Sequence, residues 1–270
     1  MLHYVEITLE TLPENLALDE ALLLQAEAAD QSAEAAAENA AAPAALSTEA
    51  VDSPQQPAGW LRVWELPRWA VVVGAGGALA HDVAVEQCQR DGVPIGRRSS
   101  GGGTVLLGPG CLLFSLILPI AADPAYAQVR SSYAAILQRL AESLRRFDPQ
   151  VVVAGISDLA IGLRKFSGNA QQRKARFLLH HGTILYAMDL TQISRYLRTP
   201  EHQPEYRAGR THAEFVTNLP ATGPALRECL RDAFAAKPVP AEQIDRLLPL
   251  TLAQTRVAEQ FGLESWVSRR

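Results

Sequence analysis

Apolar and polar residues follow two different spacings along the chain, and each spacing predicts one kind of element. Residues 2–10 alternate apolar with polar side chains, which is typical of a strand with one buried face. After Pro13, apolar residues recur at helical spacing and predict a helix whose Asp19 and Glu20 face solvent. The chain is therefore predicted to open with a strand followed by a helix.

Short apolar runs predict the remaining strands, at 61–64, 70–74, 93–98, 111–118, 151–154 and 177–187. The run 111–118 lacks polar alternation, which is typical of a strand buried on both faces. Helical spacing predicts helices at about 80–90, along a segment beginning at Pro124, and at about 224–235, 240–247 and 251–261. Because strands and helices are mixed irregularly, we expect an α/β protein of the α+β type, with a mixed sheet and flanking helices on one side.

An Ala-rich, acidic segment interrupts this pattern at about 27–59. It contains three prolines and almost no large apolar side chains, so it cannot bury enough surface to offset the entropy lost on ordering. We expect a surface insertion that is helical at its start and loosely held afterwards. The main domain is then predicted over 1–223, including this insertion, and 224–270 is predicted to be a short helical tail.

Composition and charge disfavour several classes of protein. With 270 residues, 48% of them hydrophobic, the chain can bury a sizeable core. A net charge of -4 and a pI of about 5.9 give no electrostatic footprint for nucleic acid. No apolar run is long enough to span a bilayer, and no secretory signal pattern opens the chain. We therefore expect a cytoplasmic protein without nucleic-acid or membrane partners.

The cysteines indicate neither a disulfide framework nor a metal site. Cys88, Cys111 and Cys229 are odd in number and lack CxxC spacing. We expect all three to be reduced thiols.

The candidate chemistry centres on residues 97–110, which read RRSSGGGTVLLGPG. Three consecutive glycines cost conformational entropy, but their bare N–H groups can cradle an anion such as a phosphate or a carboxylate. Arg97, Arg98 and Lys165 are candidates to neutralise that anion. The alternative is a flexible turn between two strands, since the pattern is neither GxxxxGK[ST] nor GxGxxG.

Lysine is rare in this chain, because only three of its 25 basic residues are lysines. Lys165 lies in a stretch of small residues, RKFSGNAQ at 164–171, which is predicted to be a loop. A compact ammonium serves where a planar guanidinium does not fit. The composition therefore favours a chemical role for Lys165.

Three motifs in this order, RRSSGGG, RKFSGNA and HHGT, resemble the lipoate-protein ligase A family of the biotin/lipoate protein ligase and octanoyltransferase superfamily. The resemblance runs from NLALDEALL through WELPRWAVVVG to VTNL, roughly 190 residues. It implies that Lys165 is catalytic and bridges the acyl carbonyl and the α-phosphate. The residues it implies for substrate and ATP binding are Arg98, Ser100, Gly101, Gly102, Gly103, Thr104, Val105, Leu106, Asp158, Gly168, Asn169, Ala170, His181, Gly182 and Thr183.

In that family, ATP activates lipoate or a related short fatty acid to an acyl-adenylate, which a lysine of a lipoyl domain then attacks. The resemblance implies an ATP-dependent ligase that uses ATP with Mg²⁺ and takes lipoate as substrate. The implied partners are the lipoyl domains of 2-oxoacid dehydrogenase E2 subunits and the glycine cleavage H protein. A separate accessory-domain polypeptide is a further implied partner.

Two departures from the family pattern keep alternatives open. The family usually continues after the glycines with His-Asp, where this chain has Leu107-Gly108, and the chain ends about where an accessory domain would begin. These features suggest one half of a split ligase. The other alternative is an octanoyltransferase or lipoyl amidotransferase, which moves an acyl chain without ATP through a cysteine thioester. Cys111 is then the candidate thiol, although it equally fits a small buried strand residue.

The two adjacent histidines, His180 and His181, lie in the predicted strand 177–187. We expect them to be core residues with satisfied ring nitrogens, in preference to a catalytic base.

Overall fold

The computed structural model describes residues 1–40, 59–200 and 203–269, with side chains described outside 33–40. Its strands are β1 (His3–Glu6), β2 (Trp60–Trp64), β3 (Ala70–Val73), β4 (Ile95–Arg97), β5 (Val105–Leu107), β6 (Cys111–Pro119), β7 (Val151–Ala154), β8 (Asp158–Ile161), β9 (Arg164–Arg173), β10 (Phe177–Leu185) and β11 (Lys237–Pro238). Its α-helices are α1 (Leu12–Ala40), α2 (Leu79–Asp82), α3 (Val85–Asp91), α4 (Val129–Leu144), α5 (Thr191–Tyr196), α6 (His212–Phe215), α7 (Gly223–Ala233), α8 (Ala241–Leu247), α9 (Leu250–Arg256) and α10 (Glu264–Val267). Within the described ranges, no helix combines the length and the apolar character needed to cross a membrane.

The strands form two mixed sheets. The large sheet has the order β11-β1-β2-β6-β10-β9-β8-β7, in which β1 runs parallel to β2 and β11 and the other neighbours are antiparallel. The small sheet has the order β4-β3-β5, with β3 parallel to β4 and antiparallel to β5. The predicted mixed α/β architecture is confirmed.

Helices cover both faces of the large sheet, so the prediction of helices on one side is wrong. On one face, Leu113 and Ile117 of β6 pack with α1 and with the small sheet. On the other face, Leu112, Phe114 and Leu116 pack with α4 and α7. Successive side chains of a strand point to opposite faces, so the unbroken apolar run of β6 feeds two cores at once.

Helix α1 begins with a capping box. The N–H of Thr11 donates to the Glu14 carboxylate at 2.8 Å, and the N–H of Glu14 donates to the Thr11 hydroxyl at 3.4 Å. The helix continues to Ala40, and its Glu27 accepts hydrogen bonds from the N–H groups of residues 176 and 177 at the start of β10. The Ala-rich segment therefore begins inside a packed helix, whereas its part at 41–58 lies outside the described residues.

Asp19 and Glu20 face the interior, so the prediction that they face solvent is wrong. Their exposed fractions are 3% and 5%. Glu20 accepts hydrogen bonds from Arg256 at 2.8 Å and from Gln172 at 3.1 Å, which ties α1 to the C-terminal region and to β9. Helical periodicity locates the apolar face, but it cannot separate a solvated carboxylate from a buried one that has partners.

The segment predicted to be a loop around Lys165, residues 164–171, forms the first eight residues of strand β9, so that prediction is wrong. β9 pairs with β8 on one side and with β10 on the other. The β8–β9 register shifts between Leu159 and Ala160, which leaves Phe166 as an extra residue between Lys165 and Ser167. An irregularity of this kind changes the direction in which a neighbouring side chain points.

The residues after 223 pack against the rest of the protein. Helix α9 lies along α1, and Trp266 of α10 donates its indole N–H to the Arg97 carbonyl at 2.8 Å. The Arg97 guanidinium donates in return to the Val267 carbonyl at 2.8 Å and to the Gly74 carbonyl at 2.9 Å. The predicted tail thus supports the strand that leads into the glycine-rich segment.

Candidate active site

A cavity of about 150 Å³ opens between the two sheets. Its apolar lining comes from Leu16, Trp64, Val72, Leu107, Leu113 and Phe114. Its polar lining comes from Asp19, Arg98, Thr104, Ser115, Ser157, Asp158, Lys165, Asn169, His181 and Thr183. The cavity therefore offers both an apolar wall and a cluster of charged groups, as an amphipathic ligand requires.

Most of the predicted site residues meet in this cavity. Besides the polar residues named above, Gly102, Gly103, Val105, Gly168, Ala170 and Gly182 line it. Ser100 lies behind the wall, against Arg98 and His181. Residues that sequence reasoning missed include Asp19, Trp64 and Ser115. The alternating sequence of β2 predicts one buried face, whereas all five of its residues are buried, and alternation does not indicate that Trp64 reaches a ligand cavity.

Arg98 shapes the glycine-rich segment from inside. Its Nη2 donates to the carbonyls of Gly101 at 2.6 Å and Gly103 at 2.8 Å, and its Nε donates to the Ser100 hydroxyl at 3.0 Å. Gly102, between them, has φ +86°, a conformation that favours glycine. The carbonyl of Gly102 also lies so close to Gly74 that a Cβ on Gly74 would overlap it. The two glycines therefore allow a backbone approach that larger residues would prevent.

The Arg98 guanidinium is a buried cation without a carboxylate partner among the described residues. Burial lowers the pKa of Arg98 to about 10, and the side chain still carries its charge at neutral pH. Burying a charge without a counter-charge is costly, and an anionic ligand in the cavity would offset that cost. Arg97, by contrast, donates to backbone carbonyls and lies outside the cavity lining, so it is not placed to neutralise an anion in this cavity.

Lys165 extends from β9 to Asp158 of β8. Its Nζ lies 2.7 Å from Asp158 Oδ1, and the two side chains are 29% and 7% exposed. The other carboxylate oxygen of Asp158 accepts a hydrogen bond from the Tyr206 hydroxyl at 2.8 Å. Burial and the charge of Asp158 raise the pKa of Tyr206, so its hydroxyl stays protonated and continues to donate.

Two features leave the Lys165 side chain room to cross its own strand. A Cβ added to Gly168 would lie 2.8 Å from Nζ and 2.9 Å from Cε, so any side chain at that position would displace the ammonium. The Lys165 carbonyl accepts from the N–H of Thr217 at 2.9 Å, and this fixes the backbone from which the side chain extends. The motif VTNL thus holds the lysine in place from the adjacent segment.

The two histidines differ in environment. His180 is fully buried, its ring nitrogens bond to Gln171 at 3.0 Å and Asn169 at 3.3 Å, and burial lowers its pKa to about 3. It is a neutral core histidine, as expected. His181 instead lines the cavity, with Nε2 2.6 Å from the Ser100 hydroxyl, so the expectation of a core position is wrong for it.

Cys111 is poorly placed for thioester chemistry. It is fully buried in the core that contains α1, and it pairs with Leu185 across the sheet. Burial, reinforced by Glu65, raises the pKa of its thiol, which disfavours the nucleophilic thiolate.

No group of three or more metal-ligating side chains occurs in the part of the chain that the structure describes.

The mixed α/β fold and its cavity, which has an apolar wall and charged groups, are typical of a protein that binds an amphipathic small molecule. Comparison with known sequences identifies the family. The family described as lipoyl protein ligase A/B catalytic domain matches residues 12–236, and the chain belongs to it. A protein assigned as lipoate-protein ligase A in Aeropyrum pernix is 34% identical over 146 residues, which cover 53% of this chain and 52% of that protein. A lipoate-protein ligase A assigned in Mycoplasma genitalium is 29% identical over 149 residues, which cover 55% of this chain and 43% of that protein. The chain matches about half the length of these relatives or less.

Solved structures of lipoate ligases share the fold. The bipartite lipoate protein ligase of Thermoplasma acidophilum, studied with its E2 lipoyl domain, superposes with a TM-score of 0.72 at 19% identity and covers 99% of this chain and 97% of its own. A lipoate-protein ligase A bound with ATP superposes with a TM-score of 0.69 at 19% identity and covers the same shares. The predicted biotin/lipoate ligase-like fold is confirmed.

Proposed function

We propose that this protein is a lipoate-protein ligase that activates lipoate, or a related short acyl chain, with ATP and attaches it to a lysine of a lipoyl domain. The observation that carries the proposal is the pairing, in one cavity, of an apolar wall with two cations, Lys165 and the buried Arg98. Such a cavity suits an acyl chain that ends in a carboxylate and meets a nucleotide phosphate.

The acyl chain would lie along the apolar lining, with its carboxylate toward Lys165. In the first step a carboxylate oxygen attacks the α-phosphate of ATP, the bond to the β-phosphate breaks, and pyrophosphate leaves. Arg98 and the N–H groups of the glycine-rich segment would face the phosphate oxygens. Lys165 would leave Asp158 and donate between the carbonyl and the phosphate, where negative charge grows.

In the second step the neutral amine of the acceptor lysine attacks the acyl carbonyl. The bond from carbon to the phosphate oxygen breaks, AMP leaves, and the amine loses a proton. The negative charge again develops beside Lys165, so a single cation serves both steps. Before the ligand binds, Asp158 would pair with the Lys165 ammonium, and Tyr206 would hold the Asp158 carboxylate in place.

Mg²⁺ would enter with ATP as part of the substrate. It usually keeps several waters and binds through substrate phosphates, which fits a cavity with few free carboxylates. Its chemistry would be to neutralise the leaving pyrophosphate.

The proposed partners are lipoyl domains of 2-oxoacid dehydrogenase E2 subunits and the H protein. The T. acidophilum neighbour, described as bipartite and studied with its E2 lipoyl domain, supports a lipoyl domain as acceptor and a second polypeptide as a possible component. A split ligase is the second candidate. The transferase alternative is weaker, because Cys111 is buried with a raised thiol pKa.

The test is acylation of a purified apo lipoyl domain by this chain and lipoate, with ATP present or omitted. The proposal predicts modification only with ATP. Modification with ATP only after a second polypeptide is added would identify a split ligase. Transfer from octanoyl-acyl carrier protein without ATP, abolished by Cys111→Ser, would refute the proposal in favour of the transferase.

A further inference from the structure

Five polar side chains follow one another along the cavity wall, from the α1–β2 interface to the glycine-rich segment. Arg62 Nη1 lies 2.7 Å from Asp19 Oδ1, and His181 Nδ1 lies 3.7 Å from Asp19 Oδ2. His181 Nε2 lies 2.6 Å from Ser100 Oγ, which is 3.0 Å from Arg98 Nε. The chain therefore links the buried Arg62–Asp19 pair to the cation that faces the cavity.

Hydrogen-bond chemistry fixes the direction of the bond between Ser100 and His181. Arg98 Nε can only donate, so it occupies a lone pair of the Ser100 oxygen. The Ser100 proton then needs an acceptor. Among the described residues, the other hydrogen-bond partner of the Ser100 hydroxyl is His181 Nε2. Ser100 therefore donates to His181, and Nε2 is the unprotonated nitrogen of the neutral imidazole.

The other end of the ring leads to the same assignment. If Nε2 accepts, the proton of a neutral His181 is on Nδ1, which faces the Asp19 carboxylate. The opposite tautomer would aim a lone pair at that carboxylate and leave the Ser100 proton without an acceptor. Both ends of the imidazole thus favour the Nδ1–H form.

Asp19 is itself held rigidly. Its Oδ1 binds Arg62, and its Oδ2 accepts from the Ser115 hydroxyl at 2.7 Å. Arg62 also donates to Asn15 Oδ1 at 2.6 Å and to the Ile7 carbonyl at 3.2 Å. A fixed carboxylate of this kind orients a histidine, and through it the group that the histidine binds.

We propose that Asp19 and His181 are positioning residues, which fix the Ser100 hydroxyl so that it locks the Arg98 guanidinium in the orientation that meets an anion in the cavity. Among the described residues, the partner of Arg98 Nη1 is the Val72 carbonyl at 3.4 Å, a longer bond than those of Nη2, so Nη1 is the nitrogen that we assign to oxyanion binding. The inference rests on the proposed function for the nature of that anion, a carboxylate or a nucleotide phosphate.

The first test reads the tautomer directly and needs no activity. In ¹⁵N-labelled protein, long-range ¹H–¹⁵N spectra in alkaline buffer, with the imidazole neutral, report which nitrogen of each histidine is protonated. The His181 signals are assigned by their loss in His181→Phe or, if that variant does not fold, in His181→Asn. Protonated Nδ1 is the expected result, and protonated Nε2 overturns the proposal.

The second test is a double-mutant cycle on kcat/KM for ATP, with thermal unfolding as the check on folding. Ser100→Ala and His181→Phe each remove the same link, so each should lower kcat/KM roughly tenfold and the double variant should lose no more. Ser100→Thr, which keeps the hydroxyl, should restore most of the activity. Losses that multiply to roughly a hundredfold would show independent roles and overturn the proposal.

Ser99→Ala provides the matched control. The Ser99 hydroxyl donates to Gln172 at 2.6 Å and belongs to the same segment without entering the relay. Its effect should multiply with that of His181→Phe. If the wild-type chain shows no ATP-dependent activity, the proposed function fails, while the tautomer measurement still decides on the relay.

Discussion

Two aspartate–cation pairs flank the cavity. Their N–O distances are equal, but they differ in burial and in the number of further hydrogen bonds that hold the cation. Arg62 and Asp19 lie 2.7 Å apart with side chains 0% and 4% exposed. Lys165 and Asp158 also lie 2.7 Å apart, but the lysine is 29% exposed. Arg62 is fixed by further hydrogen bonds to the Asn15 side chain and to backbone carbonyls. For Lys165, Asp158 is the one ion-pair partner among the residues that the structure describes. The same short distance thus occurs in a rigid pair and in a releasable one.

The contrast indicates that the two cations have different roles: Arg62 stabilises the fold, and Lys165 takes part in the proposed reaction. A planar guanidinium suits the Arg62 position, where several acceptors surround it in fixed directions. A compact ammonium on a flexible stem suits the Lys165 position, where it must leave its carboxylate to meet a ligand. We therefore expect substitution of Arg62 to affect mainly stability and substitution of Lys165 to affect mainly rate.

The largest expected effect comes from breaking the rigid pair. Arg62→Met leaves the Asp19 charge buried without its partner, which should cost about 3–5 kcal/mol of unfolding free energy. Urea denaturation measures the loss. Arg195→Met is the matched control, because Arg195 pairs with Asp91 at 2.8 Å on the surface, where solvent screens the pair and little stability should be lost. Equal losses in the two variants would contradict the assigned role of the Arg62–Asp19 pair.

The next effect comes from removing the releasable cation. Lys165→Ala should reduce ATP-dependent acylation by roughly 10²–10³, because one donor at the developing charge is lost. The unfolding free energy should fall less than in Arg62→Met, since the lysine is partly exposed and Asp158 keeps its hydrogen bond from Tyr206. Lys165→Arg should also be impaired, because a planar guanidinium cannot occupy the same point. Steady-state acylation measures both variants, and wild-type turnover in Lys165→Ala would sink the assignment.

A smaller effect is expected from filling the space above Gly168, through which the Lys165 side chain passes. Gly168→Ala places a Cβ within 2.8 Å of Lys165 Nζ, so the ammonium must move while the backbone can stay. We expect a loss of roughly tenfold in acylation rate, as for a modestly misplaced catalytic group, with a melting temperature near that of the wild type. A large drop in melting temperature with the rate per folded molecule unchanged would show that the clash is structural.

The smallest effect is a pH dependence of stability from the rigid pair. Burial alone would raise the pKa of Asp19, but Arg62, His181 and Ser115 together hold it below its ordinary 3.8. A lowered pKa means that the stabilisation is complete above pH 3.8 and is lost as the pH falls through the folded-state value. Acid unfolding between about pH 5 and 2 should therefore be less steep in Asp19→Asn than in the wild type. Identical slopes would show that Asp19 does not contribute.

The sequence predicts the parts of this site that have characteristic local composition. Three adjacent glycines beside Arg98 indicate an anion loop, and a lone lysine among small residues indicates a catalytic cation. The sequence nevertheless predicts a loop around Lys165, because glycine and asparagine are typical of turns. In β9, Gly168 leaves room for the Lys165 side chain, and Gly182 of the neighbouring β10 leaves room for Asn169.

The rigid pair could not be predicted, because its partners are distant in sequence. Asp19 and Arg62 occupy a helix and a strand that the 41–58 segment separates, and only the tertiary fold brings them together. Periodicity assigned Asp19 to solvent because charged residues are rarely buried without a partner. The sequence pattern does not indicate that Arg62 is the partner of Asp19. It also does not indicate that Trp266 packs against the start of the glycine-rich segment, where it donates to the Arg97 carbonyl.

The most direct test of the central claim is single-turnover transfer from supplied lipoyl-adenylate to an apo lipoyl domain, comparing wild type with Lys165→Ala. This reaction bypasses activation, so it reports the chemistry of this cavity even if activation needs a second polypeptide. The account predicts that the variant binds the adenylate but transfers the acyl group roughly 10²–10³ times more slowly. Equal transfer rates would contradict the claim that the Lys165 ammonium stabilises the charge that develops in the reaction.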